Sequence, residues 1–568
     1  MVASARTFSL EDTFLSPQIL NPPPTRHALL AFLLTLAALI HIGTAGWGDL
    51  YDGTEGEVAG GARAMLASGN WLTPTNDGAP LLAVPPLTYW LVALSYKAFG
   101  VTATAARLPI ALAMIGTVAL TFLIGERIAG YLRGFAAGLI LLCSAGGFLH
   151  GRAVSPDAFC AFFVCASIYC VVRGYQHQKF RRLWYAVFWF CAGLATLTKG
   201  LSALVLLAGI LLFLVIPFRE ARLRFRPLFH WVNLLVFALI VAPWFYWIEK
   251  QYPGFVSRFV RWADTSRGLP RGQFLLLHFV WWFPVVFLVL PGLLFAPRKI
   301  LRPDEAAFAD WLPLSWLCVG LGIAMVLGGE RACSTTALAP AFALFAACAW
   351  ERTSRPLRVA GITLALIAGL GAGAVIYFHP ANVGILIDES ITDALWFSLR
   401  PLDQIAMVSL LAASLAAFFV LRHRAEVTLV VAVAAMVPIG FCLIESRARL
   451  SPFLSLGDVA KFLNPRLSPN GEVIYEGSLR SGSSLGFYLG KNFFLIHENP
   501  GFFERDAESQ RKYLDEHFLL DAWDRSDPLY LIIDEKRVAY WRELITSRVH
   551  IYHQVTTCGS RVVLSNQL

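Results

Sequence analysis

Long apolar segments dominate this sequence and restrict the chain to a membrane. Of its 568 residues, 57% are hydrophobic and 15% are charged, and its mean hydropathy is +0.59. Soluble domains carry about 25% charged residues. The first apolar run, 27–46, is too long for the core of a signal peptide, and acidic residues follow it instead of a cleavage site. We predict an integral membrane protein with a cytoplasmic N-terminal tail, 1–26.

A helix that spans a bilayer needs about 20 apolar residues, and this requirement selects about 13 segments. They are 28–46, 107–125, 130–148, 156–173, 183–200, 201–218, 231–248, 274–296, 310–328, 336–350, 358–378, 404–421 and 427–444. A shorter apolar piece, 87–100, is predicted to be a re-entrant or partial helix. The predicted membrane domain is 27–444.

Arginine and lysine residues between these segments indicate the orientation. If 87–100 does not cross, the basic loops all lie on one face: 126–133, 173–182, 219–229, 297–302, 351–358 and 422–424. Cytoplasmic loops are enriched in Arg and Lys, so this face is the cytoplasmic one. The outer face then receives the loops 47–86 and 249–273. The formal charge of +9 follows from this orientation and indicates no nucleic-acid partner.

Residues 445–568 have a different composition from the membrane part. The runs "GEVIYEG", "NFFLIHE" and "PLYLIIDE" are typical of strands, and the charged stretch 503–516 is predicted to be a helix. We predict a small soluble α/β domain on the outer, periplasmic face. The ten cysteines lie mostly in apolar runs and indicate no disulfide framework.

The first outer loop gathers four carboxylates within nine residues: Asp49, Asp52, Glu55 and Glu57. Thr54 to Glu57 fits a capping box, and the apolar spacing behind it predicts an amphipathic helix over 55–67 on the membrane surface. Two interpretations are open. The acids only stabilise the positive end of the helix dipole, or one of them is a general base beside the headgroup of a lipid-linked substrate.

Other ionisable residues lie near the outer ends of predicted spans. Arg152 and Asp157 flank a turn, where they form either a functional site or an ion pair that anchors the helix. Lys199 lies between two apolar segments, so its charge must be paired with a counter-ion or its side chain must extend to the membrane surface. A phosphate diester is a suitable counter-ion. Four bases in the loop 249–273 are candidates to bind a leaving phosphate or merely touch lipid headgroups: Arg258, Arg261, Arg267 and Arg271. His278 is a weak candidate metal ligand, with a satisfied interfacial histidine as the alternative.

Five ordered stretches carry a family resemblance. They are "ARAMLASGNWLTPTNDGAPLLAVPPLTYWLVALSYKAFG", "AARLPIALAMIGTVALTFLIGERIAG", "GRAVSPDAFCAFFVCASIYC", "GLATLTKGLSALVLL" and "APWFYW". In order and spacing they resemble the GT-C superfamily of membrane glycosyltransferases, in its aminoarabinose-transferase and protein O-mannosyltransferase branch. The resemblance is clearest over about residues 28–300.

The resemblance implies a mainly α, polytopic helical bundle in the bacterial inner membrane. It also implies an inverting enzyme that transfers a sugar from a polyprenyl-phosphate donor to a lipid, protein or glycan acceptor on the periplasmic face. The family carries an Asp-Glu pair where this chain has Thr54-Glu55, so Glu55 takes the role of base or Asp52 reaches in from upstream. The family's Arg and Asp motif matches Arg152 and Asp157, and Tyr89 joins the implied substrate-binding residues.

Two family motifs are altered here. The Glu-Lys-Pro-Pro stretch reads Ala83-Val84-Pro85-Pro86, so the lysine that holds the carrier phosphate and the glutamate of a metal site are both replaced. Lys199 and the loop arginines are the expected substitutes for the lysine. No cofactor is assigned; a divalent metal is the alternative that the resemblance leaves open, and the replacement of the family glutamate by Ala83 argues against it. A family Tyr-Tyr segment reads Ser334-Thr335-Thr336. The alternatives are a transporter or flippase of a lipid-linked or anionic solute, and a catalytically degenerate scaffold.

Overall fold

The computed structural model describes most of the chain in separate stretches. These are 24–76, 79–216, 218–259, 271–297, 308–327, 335–378, 393–422, 424–489, 491–497, 513–548 and 551–567. Apolar helices make up the described chain as far as Arg449, apart from a short β hairpin in the first loop, and a mixed sheet with flanking helices follows.

The helices of the first part are, in chain order, α1 (Pro24–His41), α2 (Thr54–Ser68), α3 (Leu87–Phe99), α4 (Ala103–Ala129), α5 (Tyr131–Leu142), α6 (Ala145–His150), α7 (Pro156–Gln176), α8 (Arg181–Lys199), α9 (Leu201–Val215), α10 (Arg219–Phe225), α11 (Trp231–Gln251), α12 (Arg271–Trp281), α13 (Val285–Phe295), α14 (Phe308–Leu327), α15 (Thr335–Arg352), α16 (Arg355–Phe378), α17 (Asp393–Leu421), α18 (Ala425–Ala434) and α19 (Met436–Arg449). A 3₁₀ turn, Arg226–Phe229, follows α10, and the strands β1 (Thr75–Asn76) and β2 (Ala79–Pro80) pair within the first loop.

Every predicted span coincides with one of these helices or with a consecutive pair. Among the described residues, six helices are long and apolar enough to cross a membrane, or seven if one bent pair counts as a span. The predicted number of about 13 spans is therefore not confirmed. The short piece 87–100 is the 13-residue helix α3, and whether it crosses stays a prediction.

Two predicted spans are wrong as continuous helices, and a third, 427–444, is interrupted at Ala435 between α18 and α19. The segment 130–148 is divided into α5 and α6, which Cys143 and Ser144 separate. The segment 274–296 consists of α12 and α13, and the chain bends by 116° between them. Pro284 precedes α13, and a proline removes a backbone donor and clashes with the preceding turn. The apolar pattern continued across both breaks and concealed them.

Helix α2 differs from the amphipathic surface helix that the sequence predicted. It begins at Thr54, yet no side chain caps it, so the predicted capping box is absent. The Thr54 hydroxyl instead accepts a hydrogen bond from Arg480. Most of α2 is buried, because one face packs on α3 and another lies against the last part of the chain. The helix is thus held within the protein.

The last part of the chain contains helices α20 (Ser451–Leu454), α21 (Gly457–Leu463), α22 (Ser483–Tyr488), α23 (Glu516–Trp523) and α24 (Val538–Ser547) and a 3₁₀ turn, Glu535–Arg537. Its strands are β3 (Glu472–Glu476), β4 (Phe494–Ile496), β5 (Tyr513–Leu514), β6 (Leu529–Asp534), β7 (His553–Cys558) and β8 (Arg561–Ser565). Among the described residues they form a sheet in the order β5-β4-β3-β6-β8-β7. The pairs from β5 to β6 are parallel, and β8 pairs antiparallel with β6 and β7.

This sheet confirms the predicted strands and buries both of its faces. Tyr475 and Ile532 pack with α21 on one side, and Ile474 and Leu531 pack with α23 and α24 on the other. The predicted helix 503–516 lies largely outside the described residues. Its described end is wrong, because Tyr513–Leu514 is strand β5 and helix α23 begins at Glu516.

We predict that the close contact between α2 and α22 requires glycine at position 56. A Cβ atom on Gly56 would lie 2.4 Å from the Ser484 backbone nitrogen and 2.5 Å from the Ser483 hydroxyl oxygen. Overpacking of this kind costs about 1–3 kcal/mol. G56A should therefore lower the thermal unfolding temperature of the purified protein.

G371A provides the matched control, because Gly371 lies in helix α16 with nothing within 4 Å of its added Cβ. Alanine is favoured over glycine in a helix, so G371A should not lower the unfolding temperature. Equal unfolding temperatures for G56A and G371A would contradict the predicted contact.

Candidate functional site

The Glu55 carboxylate is buried at the beginning of α2 and joins three segments of the chain. Its Oε2 atom accepts a hydrogen bond from the Tyr51 backbone N–H at 3.0 Å. Its Oε1 atom accepts one from the Val154 backbone N–H at 3.3 Å. Arg107 lies 3.4 Å from Oε2. Glu55 therefore connects the first loop, helix α4 and the turn before α7.

Arg107 organises the turn that leads into this loop. Its guanidinium group donates to the backbone carbonyls of residues 45, 47, 48 and 49, at distances between 2.7 and 3.2 Å. The side chain is 3% exposed and also pairs with Glu55. Buried carbonyls without a partner are costly, and one arginine side chain satisfies four of them here. The sequence analysis gave Arg107 no role.

A pocket opens beside Glu55 and contains a surplus of positive charge. Its empty space is about 250 Å³, including the open mouth, and its lining is Tyr51, Glu55, Arg107, Leu149, Arg152, Ile444 and Arg447. Three guanidinium groups and one carboxylate give this lining a net charge of +2. Such a pocket attracts an anion, and arginine suits phosphate because its planar fork donates two parallel hydrogen bonds.

Two of these arginines keep N–H groups that can bind a ligand. Arg152 donates through Nη2 to the Trp47 carbonyl at 2.6 Å, which uses one of its five N–H groups. Burial lowers the pKa of Arg152 to about 10, with Arg107 as a further cause, so Arg152 stays protonated at pH 7. Arg447 lies over the Tyr51 ring, 4.5 Å from its centre, and contributes a second cation.

Asp157 and Lys199 form an ion pair beside the pocket, without lining it. The Lys199 ammonium donates to Asp157 Oδ1. Asp157 lies in the first turn of α7, which the Ser155 side chain caps, and Lys199 is the last residue of α8. The backbone of Gly200 has φ 74, a left-handed conformation that glycine adopts without strain. This residue separates α8 from α9. Val154, three residues before Asp157, contacts Glu55.

Asp52 lies away from the pocket and contacts the last part of the chain. Its Oδ1 atom accepts a hydrogen bond from the Ser484 backbone N–H at 2.8 Å, and its own N–H donates to the Leu454 carbonyl. Burial raises the pKa of Asp52 to about 7, although the bond from Ser484 and the charge of Arg561 oppose that rise. This placement connects Asp52 to the sheet of strands β3 to β8 with its helices α20 to α24, called the sheet domain below, and not to the three arginines.

The remaining predicted site residues are dispersed. Tyr89 is buried where α3 meets Gly61 of α2. Arg258 donates to the Pro253 carbonyl, and the neighbouring Phe259 lies close to Gly200, beside Lys199. Arg261 and Arg267 lie outside the described residues, as does the Arg271 side chain. Their roles stay predictions.

Among the described residues, the neighbours of His278 are aromatic rings and a backbone carbonyl. Its Nδ1 atom contacts the Phe274 carbonyl at 2.8 Å, and its ring packs against Phe274 and Trp282. Ala83 offers no ligand atom in place of the family glutamate. Across the stretches that the structure describes, no three His, Cys, Asp or Glu side chains are grouped to hold a metal ion. No step is assigned to a metal.

The sequence analysis missed Arg107 and Arg447 because both stand at the edge of an apolar segment. Arg107 precedes the apolar core of α4, and Arg447 follows the last predicted span. A charge at such a position is costly in a membrane, and this cost was the available signal. This cost does not reveal that Arg107 contacts backbone carbonyl groups or that Arg447 contacts the Tyr51 ring.

The chain matches known membrane transferases in sequence and fold. Residues 83–247 match the family model described as dolichyl-phosphate-mannose-protein mannosyltransferase. An undecaprenyl phosphate-alpha-4-amino-4-deoxy-L-arabinose arabinosyl transferase of Pseudomonas savastanoi pv. phaseolicola is 29% identical over 62% of this chain and 67% of that protein. The crystal structure of ArnT from Cupriavidus metallidurans bound to undecaprenyl phosphate aligns with a TM-score of 0.78 at 20% identity, over 95% of this chain and 98% of that one. The resemblance to the GT-C superfamily is confirmed.

The matched proteins differ in how much of the chain they cover. An uncharacterized protein of Aquifex aeolicus is 32% identical over 39% of this chain, and the match spans 44% of the relative. The chain therefore spans less than half of that relative. The likeness to ArnT concerns the fold, because the sequence identity is low. It supports a mainly helical integral membrane protein.

We predict that removal of the Arg107 guanidinium destabilises the protein strongly. R107A would leave Glu55 and four carbonyl groups buried without this donor. Loss of one partner of a buried ion pair costs about 3–5 kcal/mol. Thermal unfolding in detergent measures the effect.

R133A is the matched control, because Arg133 pairs with Glu351 at 2.6 Å but is 43% exposed. A pair so exposed contributes about 0–1 kcal/mol. Similar losses of unfolding temperature in R107A and R133A would contradict the role of Arg107.

We predict a pH-dependent stability difference between wild type and D52N. The raised pKa of Asp52 means that, between about pH 4 and 7, the folded chain binds a proton that the unfolded chain has released. The contribution of Asp52 to stability therefore falls as the pH rises through this window. Asparagine does not titrate, so D52N should gain unfolding temperature relative to wild type from pH 5 to pH 8. A pH-independent difference would disprove the burial of an ionisable Asp52.

Proposed function

We propose that the chain is an inverting glycosyltransferase of the bacterial inner membrane. It transfers a sugar from a polyprenyl-phosphate donor to a lipid, protein or glycan acceptor on the periplasmic face. The observation that carries this proposal is the pocket that places Glu55 among Arg107, Arg152 and Arg447. The similarity to undecaprenyl-phosphate aminoarabinose transferases and to mannosyltransferases supports the donor class.

The donor phosphate binds at the arginines that line the pocket. Arg152 and Arg447 can donate to its oxygens, while Arg107 is occupied by the carbonyls of 45–49 and by Glu55. The phosphate headgroup binds at the mouth of this pocket, and the polyprenyl chain stays outside it. These arginines replace the family lysine, whose position holds Val84.

Glu55 acts as the general base. An acceptor hydroxyl or amine approaches the anomeric carbon on the side opposite the phosphate and gives its proton to the Glu55 carboxylate. The new bond to the anomeric carbon forms as its bond to the phosphate oxygen breaks, which inverts the configuration. The leaving polyprenyl phosphate gains a second negative charge, and the guanidinium groups stabilise this charge in the transition state.

Asp157 and Lys199 extend the site on the side of α7 and α8. Lys199 neutralises Asp157, so the pair places a proton acceptor and a cation within one hydrogen bond of each other. The turn that carries Arg152 and Val154 connects this pair to the pocket. Asp157 is the second candidate for contact with the acceptor, and Lys199 for contact with the phosphate.

We predict that E55Q, D157N and K199A remove sugar transfer. Glutamine keeps the shape of Glu55 but cannot take the proton, and loss of a general base lowers the rate by about 10²–10⁴-fold. The assay incubates purified protein with radiolabelled polyprenyl-phosphate sugars and membrane extract, and it measures label that reaches an acceptor. The protein level and membrane insertion of each variant are compared with those of wild type.

E351Q is the control for E55Q. Glu351 lies on α15 and pairs with Arg133, and it is not among the residues that line the pocket. E351Q should retain transfer. Transfer at the wild-type rate in E55Q, D157N and K199A would refute this assignment of the site, and label that crosses the bilayer without reaching an acceptor would favour a transporter.

A further inference from the structure

The strand order of the last part of the chain creates a ligand-binding edge. Strand β3 continues to β4 and β5 on one side, and β6 lies on its other side, so the order reverses between β3 and β6. In open parallel sheets, ligands bind outside the carboxyl ends of the strands at such a reversal. In this protein the edge is occupied by the chain's own first loop.

The contact centres on Asp52 and Gly53. The segment after β3 brings the Ser484 backbone N–H to Asp52 Oδ1 at 2.8 Å. The Ser483 hydroxyl donates to the Gly53 carbonyl at 2.9 Å, and the Gly53 N–H donates to the Arg480 carbonyl at 2.9 Å. Ser483 and Ser484 are fully buried. Arg561, which begins β8 and pairs with Asp534 of β6, supplies positive charge near Asp52.

Further contacts clamp the loop on both sides of Asp52. Lys461 binds the Asp49 carboxylate at 2.8 Å, and the Leu50 backbone N–H donates to the Tyr488 hydroxyl at 2.7 Å. Arg480 lies 3.5 Å from the Glu57 carboxylate. Each of these partners belongs to the sheet domain. Its surface is complementary in charge to the acidic loop.

The clamped loop also carries Glu55. Asp52 precedes Glu55 by three residues, and the Tyr51 N–H beside it donates to the Glu55 carboxylate. A loop fixed at Asp52 and Gly53 therefore fixes the start of α2 and the direction of the Glu55 side chain. Pre-organised placement of a reacting group contributes strongly to catalysis, and a shift of about 1 Å can cost about 10²-fold in rate.

We propose that the sheet domain recognises the first loop in cis through Asp52 and that this docking positions Glu55 for catalysis. The inference rests on the proposed function. Asp52 is a positioning residue in this account and does not exchange protons with the substrate. It takes the place that a bound ligand takes in related sheet architectures.

The variants D52A and D52N distinguish a role of Asp52 in docking the loop from a role in the chemical step. Asparagine keeps the Oδ1 acceptor for the Ser484 N–H, whereas alanine removes it. Hydrogen exchange of residues 51–57 and 483–485 in the full-length protein measures docking, and the transfer assay gives kcat and the donor KM. D521N is the control, because Asp521 lies on α23 and is 75% exposed.

We expect D52A to lose exchange protection in both segments and to lower kcat by at least tenfold, with little change in the donor KM. D52N and D521N should retain protection, and D52N should restore kcat to within a few-fold of wild type. Protection retained in D52A, or protection lost without a fall in kcat, would overturn the inference. So would a D52N variant that docks normally but transfers no sugar, because Asp52 would then act in the chemistry.

These outcomes are distinct from failure of the proposed function. If wild type transfers no sugar from any tested polyprenyl-phosphate donor, the proposed function fails, and with it the positioning of a base. If wild type transfers sugar and D52A stays docked, the proposed function stands and only the inference falls. Should D52A be too unstable to purify, the exchange pattern and kcat of D52N still decide between positioning and proton transfer.

Discussion

The buried arginine at position 107 holds the region around Glu55 together. Its guanidinium group satisfies four carbonyls of the turn at 45–49 and pairs with Glu55, so one side chain fixes both the exit from α1 and the start of α2. A carboxylate at this depth needs compensation, and Arg107 provides it together with two backbone N–H groups.

The sheet domain and the membrane helices are connected through the same loop. The domain contacts Asp49, Leu50, Asp52 and Gly53, all within seven residues of Glu55. Arg447 adds a second connection, because it stands near the end of α19, just before the domain, and covers Tyr51 in the pocket. The position of Glu55 thus depends on contacts from distant parts of the chain.

Apolar length and charge predicted much of the architecture. The predicted spans coincide with helices or with consecutive pairs of helices, because a helix that crosses a bilayer needs a long apolar run. The runs "GEVIYEG", "NFFLIHE" and "PLYLIIDE" contain strands of one sheet, because they are short, rich in β-branched and aromatic residues and bounded by turn residues. The break at Pro284 and the burial of α2 could not be read from periodicity. Both depend on packing between segments that are distant in the sequence.

Only some of the predicted site residues line the pocket. Glu55 and Arg152 share the pocket, whereas Asp157 and Lys199 pair beside it and Asp52 faces the sheet domain. The contacts of Arg107 with the turn at 45–49 and of Ser484 with Asp52 involve backbone groups. Backbone N–H and C=O groups are present in every residue, so the sequence contains no signal for them.

A density map of the protein with bound polyprenyl phosphate tests the central claim most directly. The account predicts that the phosphate lies within hydrogen-bonding distance of Arg152 and Arg447, in the pocket that Glu55 lines. A phosphate bound elsewhere, with this pocket closed to it by side chains, would contradict the account.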